Sequence, residues 1–335
     1  MILITGATGL IGGHLLLKLY KDKKQIRALI RKTSDFKQLI LISGYYGVSW
    51  EDVHSSVEWV YGDVQDEKSL IGACHGVSEI YHCAAVVSMD GAAEDELSRT
   101  NVNGTELICR VALDQRVEAF CMVSSIAAIG TAGAPDLLAD EDCKKTEAEA
   151  GSDYSLSKFR SEEVVWRYIE KGLPAVIVNP GVVLGVGLLS KGSMKIFETG
   201  MKGIPFYTQG GTGYVDVRDV VTCACTLVDR RIKGERFILV SENATYVKLF
   251  TLIADRVGVR KPYIPVGKPL LELLGAFSSL FQFVSRKQLK YTRSVLVASG
   301  NKKYYSSEKI IKTTGIRFIQ LEETVNDIIN FIEQS

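Results

Sequence analysis

Along the first 180 positions the apolar residues keep two rhythms in turn. Short apolar runs come as ILIT (2–5), QIRALI (25–30), VEWVYG (57–62), EIYHCA (79–84), AFCMVS (119–124) and AVIVN (175–179). Between them lie longer stretches, near 10–22, 94–114 and 153–171, that read as helices. The short runs are apolar at successive positions rather than at every second one, so both of their faces should be covered. Strands alternating with helices in this manner predict an α/β fold built on a parallel sheet with helices on both faces.

The texture changes after Pro180. Glycine-rich loops (GVVLGVGLLSKG, YTQGGTG) precede a helix expected near 218–230 and a strand, RFILV, at 236–240. Further helices follow, one with Ser306 or Ser307 as its N-cap and LEETVNDIINFIEQ as the last. The expected organisation is a nucleotide-binding domain over 1–180 and a smaller, mostly helical substrate lobe over 181–335, with 218–240 returning to the first sheet. The segment PLLELLGAFSSLFQFV (269–284) is too short to span a bilayer and carries Glu272, so it reads as an amphipathic helix, with membrane-surface contact as the alternative.

Composition narrows the function classes. A chain of 335 residues, 46% hydrophobic, is long enough for a large core, and its net charge of +1 gives no broad pull toward nucleic acid or anionic lipid. Seven cysteines without a C-x-x-C pair, four of them (Cys83, Cys109, Cys121, Cys223) in apolar runs, read as reduced thiols of a cytoplasmic protein. Cys223 and Cys225 beside four scattered histidines do not make a metal site. The opening MILIT reads as a core strand rather than a secretory leader.

Chemistry enters with ILITGATGLIGGHLLLKL, in which Gly6, Gly9 and Gly12 separate the first strand from the first helix. Glycines there let the chain turn sharply and let backbone N–H groups approach a pyrophosphate, which the positive end of the helix then faces. In this context the triplet predicts a Rossmann-like doubly wound sheet binding a dinucleotide through Gly6, Thr8, Gly9, Leu10, Ile11 and Gly12. The second strand ends in RALIRKTSD, so Arg31 stands where an NAD site usually has an acid. That favours NADP(H), with NAD as the alternative; the competing reading makes Arg31 and Lys32 solvated loop charges.

A second constellation is GSDYSLSKFRSEE (151–163), where Tyr154 and Lys158 lie one helical turn apart. A phenol with an ammonium nearby suits proton transfer, because the positive charge favours the phenolate. With the glycine loop and this pair together, the chain resembles the extended short-chain dehydrogenase/reductase family. GDV (62–64), HCAA (82–85), NVNGT (101–105), VSSIAAIG (123–130) and NPGVVLG (179–185) resemble further motifs of that family. YVDVRDVV (214–221) and YYSSEKIIKTTGI are similar to segments of its dihydroflavonol reductase, cinnamoyl-CoA reductase and 3β-hydroxysteroid dehydrogenase branch.

The resemblance implies roles. Asp63 and Val64 would contact the adenine, Ala84 and Ala85 would pass beneath the cofactor, and Pro180, Gly181 and Val183 would pack on the nicotinamide. Tyr154 would be the proton donor in reduction, and Lys158 would tune it and hold the nicotinamide ribose. Ser125, with Ser124 as runner-up, would hydrogen-bond the substrate oxygen. Asn101 would support a water in the proton relay, although asparagine also commonly caps helices or bonds backbone. The expected activity is NADP-dependent reduction of a ketone or aldehyde to an alcohol, and the alternative is an NDP-sugar epimerase or dehydratase with tightly held NAD. The partner is then a small carbonyl or alcohol substrate, with no nucleic acid, no membrane span, and homodimer formation left open.

Overall fold

The computed structural model describes residues 1–87, 94–133, 137–267 and 300–334. The segment 269–284 lies outside them. Seven parallel strands form the main sheet: β1 (Ile2–Thr5), β2 (Ile26–Ile30), β3 (Val57–Tyr61), β4 (Glu79–His82), β5 (Ala119–Val123), β6 (Ala175–Pro180) and, after three strands elsewhere, β10 (Glu235–Leu239). Their order is β10-β6-β5-β4-β1-β2-β3. Strands β1, β5 and β6 are buried at every position. Alternate residues feed opposite faces: Ile2, Ile4, Cys121, Val123, Val176 and Val178 point to one core, and Leu3, Phe120, Met122 and Ile177 to the other.

Helices α1 (Leu10–Lys21) and α9 (Val217–Asp229) cover the first face with Leu15, Leu16, Val220, Val221 and Leu227. Helices α4 (Glu67–Cys74), α6 (Gly104–Asp114) and α7 (Asp153–Glu170) cover the second with Leu70, Ile108, Val111, Val164 and Val165. Two short helices not anticipated from the sequence, α2 (Lys37–Tyr45) and α3 (Trp50–Ser56), lie between β2 and β3, where Phe36, Trp50, His54 and Trp59 pack ring against ring. The single helix expected over 94–114 is instead α5 (Glu94–Leu97), a wide π-helical stretch over Ser98–Asn103, and α6.

Strands β7 (Val182–Leu184), β9 (Gly211–Asp216) and β11 (Glu242–Thr245) form a three-stranded sheet. A two-stranded ribbon pairs β8 (Phe206–Thr208) with β12 (Ile264–Val266). Around them pack α8 (Met194–Met201), α10 (Tyr246–Val257) and the last helix, α12 (Leu321–Gln334), sharing a core of Leu184, Phe197, Tyr214, Leu249, Ile253, Val325 and Ile329. Helix α11 (Glu308–Thr314) follows Ser307, but the Ser307 hydroxyl accepts from the Val240 N–H rather than capping its own helix. His14 ties α1 to the segment after β7: its Nε2 donates to the Val186 carbonyl and its Nδ1 accepts from the Tyr46 hydroxyl, each at 2.8 Å.

Candidate active site

Because the main sheet is parallel, the chain leaves every strand on the same edge. Gly6, Arg31, Asp63, Ala84, Ser125 and Gly181 all follow C-terminal strand ends there. The strand order reverses between β1 and β4, which opens a crevice at that edge.

The glycine loop is shaped by contacts that a side chain would block. Gly6 has φ +70° and a Cβ there would lie 2.6 Å from the Ala84 nitrogen, so the turn after β1 presses directly on the chain leaving β4. Gly12 abuts Gly6, and Gly9 N–H donates to the Gly6 carbonyl at 2.9 Å. Gly9 begins α1 without a side-chain cap, and the first turn holds no acid. Its N–H groups and the positive helix end therefore suit a phosphate, and the cradle fits the pyrophosphate of a dinucleotide. Thr8, Leu10 and Ile11 line the same turn, partly exposed.

Arg31 is exposed at the end of β2, beside exposed Lys32 and Thr33. Its own N–H donates to the Ser34 hydroxyl, and among the described residues its guanidinium makes no ion pair. Asp63 accepts from the Gln65 N–H at 2.9 Å, folding the turn after β3, while Val64 is buried against Gly104. A donor chain that the sequence reading missed runs under the crevice. Ala84 N–H donates to the Thr5 hydroxyl, which donates to His82 Nδ1 at 2.8 Å. His82 Nε2 then donates to Thr105 at 3.0 Å, and Thr105 to the Asn101 carbonyl at 2.6 Å. Burial holds this imidazole neutral, its pKa pushed down to about 3.

At the end of β5 the two candidate serines part company. Ser124 is buried and donates to the Glu162 carboxylate, whereas Ser125 is partly exposed, accepts from the Ala127 N–H at 3.1 Å and lies beside Tyr154. Ser152 caps α7 by accepting from the Ser155 N–H, and this start sets Tyr154 and Lys158 on the helix face toward β5. Lys158 is buried and donates to the Val123 carbonyl at 3.1 Å. Burial pushes its pKa down to about 8, opposed by the charge of Glu162. From the spacing alone, the ammonium is expected to draw the phenol down. Here burial raises Tyr154, and Ser125 beside it is what pulls the other way.

Asn101 sits in the π-helical stretch with its amide engaged on three sides. Its Oδ1 accepts from the Val86 N–H at 2.8 Å, and its Nδ2 donates to the Val86 carbonyl and the Ser157 hydroxyl, each at 3.0 Å. It thus pins the chain leaving β4 to α7. At the far wall, Pro180 and Gly181 are buried, Gly181 abuts the Gly213 carbonyl, and Val183 is 8% exposed. No group of His, Cys, Asp and Glu among the described residues could hold a metal ion, and no described helix is long and apolar enough to cross a membrane.

Residues 4–229 match the NAD-binding family described as "Male sterility protein". The chain belongs to this family. Its sequence relatives and fold place it among the extended short-chain dehydrogenases/reductases, NAD(P)-dependent enzymes that act on carbonyl and alcohol groups. One family relative, "Sterol demethylase protein B" of Methylococcus capsulatus, is 29% identical over 81% of this chain and 78% of its own length. The "Putative dihydroflavonol 4-reductase" of Synechocystis is 26% identical over 98% of this chain and 94% of its own. Among solved structures, that of gox2253 superposes with a TM-score of 0.84 at 28% identity, covering 100% of this chain and 98% of the other.

Proposed function

We propose that this protein is an NADP-dependent reductase that converts a ketone or aldehyde on a mid-sized organic substrate to an alcohol, with Tyr154 as the proton donor. The observation that carries the reading is the convergence of partly exposed Ser125, at the end of β5, with Tyr154 and with Lys158 one turn further along the same helix. The bound nicotinamide would supply hydride to the carbonyl carbon. The chain's task is then to bind, orient and protonate the carbonyl oxygen.

A phenol is protonated at neutral pH, and burial raises Tyr154 further, so a donor stands ready. Ser125 takes its backbone bond through its oxygen, leaving its own proton free to point at the substrate oxygen or at Tyr154. The Lys158 ammonium would steady the phenolate left after transfer and reach the nicotinamide ribose. Asn101 acts one layer out, fixing the Ala84–Val86 segment that forms the cofactor's floor. Exposed Arg31, with Lys32 and Thr33, supports NADP over NAD, since a 2′-phosphate would pair with a guanidinium that makes no ion pair among the described residues. The lobe from residue 181 onward would supply the substrate's walls. All seven cysteines are free, which suits a reducing, cytoplasmic setting.

The test is a panel of ketones and aldehydes, including a dihydroflavonol and a sterol ketone in view of the relatives' names, followed by NADPH oxidation. Cofactor released on denaturing the purified protein is identified in parallel. Exchangeable NADPH consumed with a carbonyl supports the proposal. Retained NAD with interconversion of NDP-sugars overturns it.

A further inference from the structure

Beneath Ser125 lies a carboxylate that the reaction as described does not use. Glu162 follows Lys158 by one turn of α7 and is 2% exposed. Its Oε1 accepts from the Ser124 hydroxyl at 2.5 Å and from the Asn179 amide; its Oε2 pairs with Arg236 of β10 at 3.3 Å. The Asn179 amide also donates to the Ser125 carbonyl at 3.0 Å. Arg236 is held in turn by the Glu141 and Cys143 carbonyls.

The Ser124 hydroxyl, the Asn179 amide and the Arg236 guanidinium all donate to it and so favour the ionised carboxylate, against the burial that pushes its pKa up. Well-packed apolar residues would fill such a place at least as stably, so a buried ion pair here needs a use beyond holding the fold. Two elements of the catalytic arrangement lie next to it: the backbone of Ser125, bonded to the Asn179 amide that also bonds the carboxylate, and Lys158, one turn earlier on the same helix.

We propose that Glu162, clamped by Arg236, is a positioning residue that locks the Ser125 segment in place and sets a buried negative charge one helical turn from the Lys158 ammonium. The inference rests on the reductase reading for the roles of Ser125 and Lys158. Burial works against the Lys158 charge, and Glu162, one turn along α7, is the largest influence in its favour. Arg236 faces Glu162 from β10, and Lys145, from the segment before α7, also feels its field. Behind Arg236, Glu141 accepts from the Ile238 N–H, and Lys309 bonds the Arg236 carbonyl and Glu235.

The experiment uses the full chain and measures the NADPH dissociation constant against pH without substrate, beside kcat and KM with an active carbonyl. In wild type, affinity should fall on the alkaline side as Lys158 loses its proton, and Lys158→Met should remove that limb. Glu162→Gln should move the limb down by about one pH unit and lower kcat more than it changes KM, with Glu162→Asp restoring part of both. Ser124→Ala, which keeps the charge and leaves a space of one oxygen atom, should lower kcat without moving the limb. A Lys158-dependent limb that stays put in Glu162→Gln overturns the inference alone. So does a limb moved equally by Ser124→Ala, or an unchanged kcat in that variant. A wild type with no Lys158-dependent limb overturns the underlying role of Lys158, and the inference with it.

Discussion

Replacing Gly12 with alanine tests whether the glycine loop is a phosphate cradle or a packing turn. A Cβ at Gly12 would press into the Gly6 carbonyl, lying 2.8 Å from its carbon and 3.0 Å from the Ala7 Cα. These are backbone atoms of the turn itself, so no side chain can swing away. Relief requires the turn to open by about 1 Å, enough to break a hydrogen bond whose useful range spans a few tenths of an ångström. If one charge-assisted N–H contact to the pyrophosphate is lost, ~1.5–3 kcal/mol is at stake. NADPH affinity should then fall about 10- to 150-fold. Stability should change less, because overpacking costs about 1–3 kcal/mol while alanine in a helix recovers about 1 kcal/mol over glycine. Gly13→Ala is the matched control: its Cβ meets the ends of Ile42 at 2.8 Å and Leu39 at 3.2 Å, flexible groups in the α1–α2 core. Fluorescence titration with NADPH and urea unfolding on both variants supply the comparison. Gly12→Ala with wild-type affinity, or Gly13→Ala with an equal loss, would refute the cradle.

Arg31→Ala should weaken NADPH by about 10- to 150-fold while leaving NADH nearly unchanged, the equivalent of one charge-assisted contact. A ratio of the two dissociation constants that does not move makes Arg31 a surface charge. His14 supplies a pH prediction. Its folded pKa is about 4 against an ordinary 6.5, chiefly through burial, so between those values the unfolded chain binds the extra proton. Its contribution to stability is therefore complete above pH 6.5 and is lost toward pH 4, at about 1.4 kcal/mol per pH unit. The stability margin of wild type over His14→Gln should shrink at that rate in urea titrations across the window. A margin independent of pH shows that the imidazole is not held neutral.

What could be read from the chain in advance was local. β1, β5 and β6 announced themselves because both faces of each are buried, leaving uninterrupted apolar runs bounded by turn residues. The glycine loop and the Tyr154–Lys158 pair were visible because their spacing is set within one turn. What escaped depends on residues far apart in sequence. Thr5 meets His82 across 77 positions, and Glu162 meets Arg236 across 74; no local pattern marks either pair. The π-helical stretch at Ser98–Asn103 was hidden because SRTNVN has one apolar residue, Val102, and so no periodicity that would tell a wide turn from an ordinary one. Strand β9 carries Gly211 and Gly213, whose lack of side chains removes the alternation by which strands are recognised, and Gly213 lies against Gly181 just before β7.

The claim on which the rest depends is that hydride passes between a bound nicotinamide and a substrate carbonyl while Tyr154 delivers the proton. A single measurement reaches it: incubation with NADPH deuterated at the transferable position and a carbonyl substrate, in wild type and Tyr154→Phe, with the label located by mass spectrometry. The account predicts deuterium on the new carbinol carbon with stoichiometric NADP⁺. In Tyr154→Phe the rate should fall by ~10²–10⁴-fold, with NADPH affinity kept. Label that never leaves the cofactor, or a Tyr154→Phe variant retaining more than about a tenth of the rate, would contradict it.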